Sequence, residues 1–172
     1  MSIPEKIEKK ITGLSEIPAL VKRLKSEGIR VVFTNGVFDI VHRGHVTLLS
    51  LAADQGDFLI VGLNADSSVK TLNKGPERPI NGEQDRAVVL ASMQFVDAVV
   101  IFPTPTPFDL ISMIQPDVLV KGGDYNPDQT DKTAKDYIVG SDIQRKNGKT
   151  TISIPLVEGY STTSIIKRSK NG

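Results

Sequence analysis

The chain has only two histidines, and they stand three residues apart, in His42-Arg43-Gly44-His45. Three residues is close to one helical turn, so both rings can face one side of a helix start. An imidazole can offer an N–H to a phosphate oxygen, either as the neutral ring or as the cation. The run Val31, Val32, Phe33 just before reads as a buried strand. Thr34, Asn35 and Gly36 break it, and a helical apolar pattern begins near Gly44. A strand, a tight polar turn and a first helical turn make an anion site, because free backbone N–H groups and the positive end of the helix dipole point there. Gly36 and Gly44 lack a Cβ, so a ligand can approach the backbone closely. The plain alternative is a helix start with two solvated histidines. A place at the top of the first βα unit counts against it.

Three further stretches carry polar chemistry. Residues 64–81 form a long connection with Lys70, Lys74 and Arg78, interrupted by Gly75, Pro76 and Pro79. A solvated surface loop is one reading, and a mobile basic flap over a polyphosphate is the favoured one. Gly122-Gly123-Asp124-Tyr125 follows a predicted strand, where open α/β sheets bind ligands. Ser161, Thr162 and Thr163 precede a helical apolar pair. They either cap a helix or present hydroxyls to phosphate at its start. No cluster of carboxylates and histidines has the ligand count of a protein-held metal site.

The elements that must position these residues alternate. A helix is expected from Ser15, as N-cap, to Gly28, with Ile17, Leu20, Val21 and Leu24 inward. The first strand follows, then a helix over residues 44–55 with Val46, Leu48, Leu49, Ala52 and Ala53 inward. A continuous apolar strand spans residues 58–63, as in a sheet covered on both faces. Asn81 is expected to cap a helix running to Met93, with Ala87, Val88, Leu90 and Ala91 inward and Arg86 in its second turn. Strands are expected at 96–102, 117–121 and 150–154, and helices at 108–114 and 133–146. Residues 1–14 read as an exposed lead-in, and 126–135 as a loose polar segment. Alternation of this kind predicts an α/β, Rossmann-like open parallel sheet of about five strands with helices on both faces.

Composition sets bounds. The 172 residues fit one domain, taken as residues 1–172, and can bury a core. A net charge of +1 argues against a general nucleic-acid binder. The absence of cysteine excludes disulfides and thiolate metal sites. The charged N-terminal stretch has no signal-peptide core. No apolar run approaches the roughly 18 residues that span a bilayer. A cytoplasmic protein without nucleic-acid or membrane partners is expected.

The segment FTNGVFDIVHRGHVTLL resembles the HxGH signature of the nucleotidylyltransferase superfamily, the cytidylyltransferase-like enzymes. Val37 stands where members more often carry Cys. VGLNADSSVKTLNKG, RPINGEQDRAVVLASMQFVD, PDVLVKGGDY and STTSIIK extend the resemblance from about residue 29 to residue 170. They narrow it to enzymes that adenylylate D-glycero-β-D-manno-heptose 1-phosphate, in a stand-alone form without a kinase domain. The stretch DQTDKTAKDY is longer than that pattern.

The resemblance implies a reaction of ATP with the sugar 1-phosphate to give ADP-heptose and pyrophosphate, feeding lipopolysaccharide core synthesis. It implies Mg²⁺ carried with ATP, and a homo-oligomer. His42 and His45 would be donors to the triphosphate, with Lys74 and Arg86 neutralising charge. Thr34, Asn35, Gly36 and Phe38 would line the nucleotide beside Gly44, and Asp39 would orient the turn or meet the acceptor. Lys121, Gly122, Asp124 and Tyr125 would approach ribose and base, and Ser161, Thr162 and Thr163 the phosphates. A cytidylyltransferase acting on glycerol 3-phosphate and a non-catalytic nucleotide sensor are the alternatives.

Overall fold

The computed structural model describes residues 1–72, 77–162 and 165–166. In chain order the elements are α1 (Ile3–Glu8), a 3₁₀ turn (Leu14–Glu16), α2 (Ile17–Ser26), β1 (Val31–Gly36), α3 (Arg43–Ala53) and β2 (Phe58–Asn64). Then come α4 (Asp66–Thr71), α5 (Glu83–Ala91), β3 (Ala98–Phe102), α6 (Phe108–Ile114), β4 (Val118–Gly122), α7 (Ser141–Lys146) and β5 (Thr150–Ile154). The five strands form one parallel sheet in the order β3-β2-β1-β4-β5. The expected Rossmann-like α/β fold is therefore present. From β1 the chain winds outward through β2 to β3, then crosses back to β4 and β5. The order reverses between β1 and β4, and the crevice beyond their carboxyl ends is where such sheets take ligands.

Side chains alternate along each strand, which builds two cores. Val32, Leu59, Leu63, Val99 and Val120 pack under α3 and α5 on one face. Phe33, Ile60, Val100 and Leu119 pack under α2 and α6 on the other. Both faces are covered, which is why the strands read as unbroken apolar runs. Each fully buried Leu, Ile or Phe contributes about 1.5–3 kcal/mol. At the opposite edge from the crevice, aspartates close the strand ends. Asp57, Asp97 and Asp117 accept the backbone N–H groups of Arg30, Leu59 and Val31 at 2.9, 2.8 and 2.9 Å.

Several expectations are corrected. The lead-in is not idle. Ser2 and Glu5 close a capping box on α1, and Ile11 bridges in parallel to Val99. An edge strand leaves unpaired N–H and C=O groups, and residues 10–12 cover those of β3. Residues 64–81 contain α4, so the connection is only partly irregular. Gly82, not Asn81, precedes α5, and Glu16 precedes α2 in place of Ser15. Val46 and Val88 face outward, at 40% and 44% exposure. The third strand starts at Ala98, and the late helix covers only α7, beginning after Gly140 in a left-handed conformation. Residues 126–136 are knit by local bonds, with Asn126 N–H on Asp136 O at 3.0 Å and Gln129 amide on Asp136 Oδ1 at 3.1 Å.

Candidate active site

The histidine turn joins β1 to α3 at the crevice. His42 is the N-cap of α3, with extended backbone, and the N–H of His45 bonds its carbonyl at 2.9 Å. The two imidazoles stack, with centroids 3.9 Å apart and planes 21° from parallel. Between them in sequence lies Gly44. A Cβ there would meet His42 Cε1 at 3.0 Å and Tyr160 Cβ at 3.4 Å, so glycine lets the rings close up. Phe38 supports the pair from below, edge-on to His45 at 5.2 Å between centroids. It does so from a left-handed backbone (φ 47) that a bulky residue rarely adopts. Burial holds the His42 imidazole below its ordinary value, so its neutral form predominates at neutral pH. Its Nδ1 is buried and has no hydrogen-bond partner among the described residues.

Two cavities open on the histidines of this turn. The first, about 350 Å³, is lined by His42, Gly44 and His45 on one side and by Leu156, Tyr160, Ser161 and Thr162 on the other. The second, about 280 Å³, lies between the ends of β1 and β4. Asn35, Gly36 and Phe38 line it from the β1 side, and Lys121, Gly122 and Tyr125 from β4. Lys121 reaches toward Asn35 Oδ1 at 3.4 Å and lies 5.5 Å from the Tyr125 ring. His45, Arg78, Leu156 and Thr162 belong to both, so the two are one continuous cleft. Its polar lining, from His42, His45, Arg78, Lys121, Ser161 and Thr162, is rich in N–H, hydroxyl and cationic groups. Such a surface takes an anionic, phosphorylated ligand.

Some expected residues have other jobs. Thr34 is fully buried and lines neither cavity, because its side of β1 faces the core under α3. Asp124 is exposed and lines neither. Asp39 borders the cleft, yet its carboxylate is engaged within the protein. One oxygen accepts the N–H groups of Ile80 and Asn81 at 2.8 and 3.0 Å, and the other meets Arg78 Nε at 2.5 Å. Arg86 is 1% exposed and is not a cation waiting for substrate. Its guanidinium donates to the carbonyls of Asn81, Val37 and Asn64 at 3.0, 2.6 and 2.9 Å, and pairs with Asp66 at 2.6 Å. It staples the histidine turn to the end of β2 and the start of α5. Lys74 and Thr163 lie outside the described residues.

Leu156 and Tyr160 were not expected in the cleft, and Arg78 was expected only as one cation of a mobile flap. Arg78 stands among the basic residues of the connection, where sequence gives no sign that it is anchored. Leu156 and Tyr160 come from the approach to the terminal helix, and Arg43 lies 5.6 Å over the Tyr160 ring. The only local signal was their nearness to Ser161. Among the described residues no three His, Cys, Asp or Glu side chains converge as a metal site, and no helix is long and apolar enough to cross a membrane.

Comparison with known proteins gives this cleft a context. A chain titled pantoate-beta-alanine ligase from Francisella tularensis shares the fold, with a TM-score of 0.58 at 14% identity over 92% of this chain and 75% of that one. A lipopolysaccharide core biosynthesis protein from Thermoplasma volcanium is similar over 78% of this chain and 100% of its own, at 26% identity and a TM-score of 0.57. Bifunctional protein HldE of Hyphomonas neptunium is 50% identical over 88% of this chain and 29% of that protein. HldE of Nitratiruptor sp. is 49% identical over 95% of this chain and 33% of that protein. The chain thus spans about a third of the length of these curated relatives. The family model for cytidylyltransferase-like proteins matches residues 33–168, from within β1 through the histidine turn to the terminal segment. With the turn, the cleft and all but the first two residues of the sheet inside that span, the chain belongs to the cytidylyltransferase-like family of nucleotidylyltransferases.

Proposed function

We propose that the chain transfers AMP from ATP to D-glycero-β-D-manno-heptose 1-phosphate, releasing pyrophosphate and forming ADP-heptose for lipopolysaccharide core synthesis. The carrying observation is the stacked histidine pair at the start of α3, facing a cleft at the sheet's switch point. The sugar assignment draws on the five sequence segments. The similarity to a protein named for lipopolysaccharide core biosynthesis supports it.

The proposed chemistry asks little of the protein beyond placement and charge. A phosphate oxygen of the acceptor, already an anion, attacks the α-phosphorus. A new P–O–P link forms, the α–β link breaks, and its electron pair leaves on pyrophosphate. No protein nucleophile or general base is needed, and catalysis lies in positioning and stabilising charge. His42 and His45 donate to the phosphates at the helix start. Ser161 and Thr162 face them from the terminal segment, and Thr163 and Lys74, outside the described residues, are assigned to the same phosphates. Asn35, Gly36, Phe38 and Lys121 line the nucleotide, and Gly122 and Tyr125 flank ribose and base. Mg²⁺ would be carried by the triphosphate and would supply charge neutralisation there. The donor-rich lining fits a metal held by the substrate, since it offers few ligands for the cation itself.

A pyrophosphate-release assay with paired nucleotides and sugar or polyol phosphates tests this reading. ATP with the heptose 1-phosphate should be the fastest pair and should require Mg²⁺. Faster turnover of CTP with glycerol 3-phosphate would replace the acceptor and nucleotide. Nucleotide binding without turnover of any pair would make the chain a sensor.

The Thr162 hydroxyl separates phosphate binding from capping. It lies 3.5 Å from the Ile40 carbonyl, at the long limit of a hydrogen bond. The turn itself closes through Ile165 N–H on Ser161 O at 3.1 Å. Thr162→Val should therefore melt close to wild type and bind ATP several-fold more weakly, as expected for about 1–2 kcal/mol of a bond to a charged group. Calorimetric titration and a thermal melt measure both. Normal binding with an early melt would make the residue a cap.

A further inference from the structure

We propose that Arg78 is a fixed receptor for a phosphoryl oxyanion, held in place by Asp39. The inference rests on the reading of the cleft as a nucleotide site, and it assigns a residue which that reading leaves out. Arg78 lines both halves of the cleft, alongside His45 in each. Its side chain is 8% exposed and that of Asp39 is wholly buried. The contact between them is through Nε, 2.5 Å from Asp39 Oδ2. Among the described residues Nε is buried and has no hydrogen-bond partner, so this edge of the guanidinium is held by its ion pair with Asp39, while the side chain lines both halves of the cleft. One edge of the guanidinium is thus anchored, and its fork opens on the cleft.

A staple role does not account for this arrangement. The loop is already tied to the histidine turn by Ile80 and Asn81 N–H on Asp39 Oδ1, and by Asn81 Nδ2 on the Asp39 carbonyl at 2.6 Å. Burying a carboxylate with a guanidinium costs several kcal/mol in desolvation. A bound oxyanion offsets it, because the planar fork matches two phosphoryl oxygens at once. Asp39 is then a positioning residue that sets the plane of the fork.

Either the nucleotide's phosphates or the acceptor's phosphate presents this chemistry, since Arg78 stands where the two cavities join. Calorimetric titration of the intact chain with ATP, inorganic pyrophosphate and the heptose 1-phosphate separates them. Arg78→Met should weaken at least one probe about tenfold or more, the scale of losing charge-assisted bonds. Arg78→Lys should recover little of it, because a point charge cannot grip two oxygens and reach Asp39 together. Loss for ATP and pyrophosphate places the fork on the nucleotide, and loss for the sugar phosphate alone places it on the acceptor. Equal binding of all three probes by wild type and Arg78→Met overturns the proposal, as does full recovery in Arg78→Lys. If both variants fail to fold, the pair is a structural staple and the proposal is also overturned. A wild-type chain that binds none of the probes overturns the reading of the cleft itself.

Discussion

His45→Ala is expected to lower turnover about 10²–10³-fold, the usual loss when one preorganised donor leaves a site of charge stabilisation. The ring lies at the third residue of α3 and lines both cavities. It is positioned from two sides, by the His42 face at 3.9 Å and the Phe38 edge at 5.2 Å between centroids. Stability should change much less, by about 0.5–1.5 kcal/mol, the worth of one aromatic contact. The helix start does not depend on this side chain, since His42 N–capping involves no side-chain bond. Initial rates of pyrophosphate release and a thermal melt of the same sample decide the matter. Near-normal turnover in a folded His45→Ala protein would return the pair to a solvated helix start. The neighbouring ring adds a pH signature. Burial depresses the His42 value, so its share of stability is complete above the ordinary histidine value. That share is lost as pH falls through the depressed one.

Arg86→Met should give the largest loss of stability, about 3 kcal/mol or more. The estimate comes from what the substitution strands. The buried carbonyls of Val37 and Asn64 and the part-buried one of Asn81 lose their donor. The ion pair itself counts for less, because Asp66 is 36% exposed and water screens it. Unpaired buried groups cost about 1–3 kcal/mol each before relaxation. Arg86→Lys should rescue only part, as one ammonium cannot span three carbonyls and a carboxylate. Chemical denaturation gives the measurement. A variant within about 1 kcal/mol of wild type that had lost turnover would instead put Arg86 in contact with substrate.

The contrast between Arg78 and Arg86 shows where sequence stops being enough. Both are arginines near glycines, eight positions apart in one polar stretch. On α5, residues 86, 87, 90 and 91 share the inward face, and Val88 and Val89 look outward. Hydropathy places Ala87, Leu90 and Ala91 correctly but turns Val88 inward and leaves Arg86 out, since it counts an arginine as solvent-facing. Only the carbonyls brought together from β2, the histidine turn and the loop before α5 make an inward guanidinium favourable. Thr34 fails for a related reason. Period-two alternation says that it faces away from Phe33, and packing by α3 decides that its side is closed.

What the sequence determined by itself was local. Apolar runs with β-branched residues specified the strands, and the i, i+3 spacing of the histidines put both rings on one side of α3. Glycine at 44 permitted their contact, and the alternation of elements required a parallel sheet. These features depend on neighbours a few residues away, so a linear pattern carries them. The tertiary structure decided what depends on distant partners. It placed β4 beside β1, although α3, β2, α5 and β3 lie between them in the chain, and so brought Lys121 and Tyr125 to the histidine turn. It set Arg78 against Asp39 and drew Leu156, Tyr160 and Thr162 across as the far wall. The meeting of such groups is settled by sheet order and by burial against other elements, and neither is a property of any short stretch of chain.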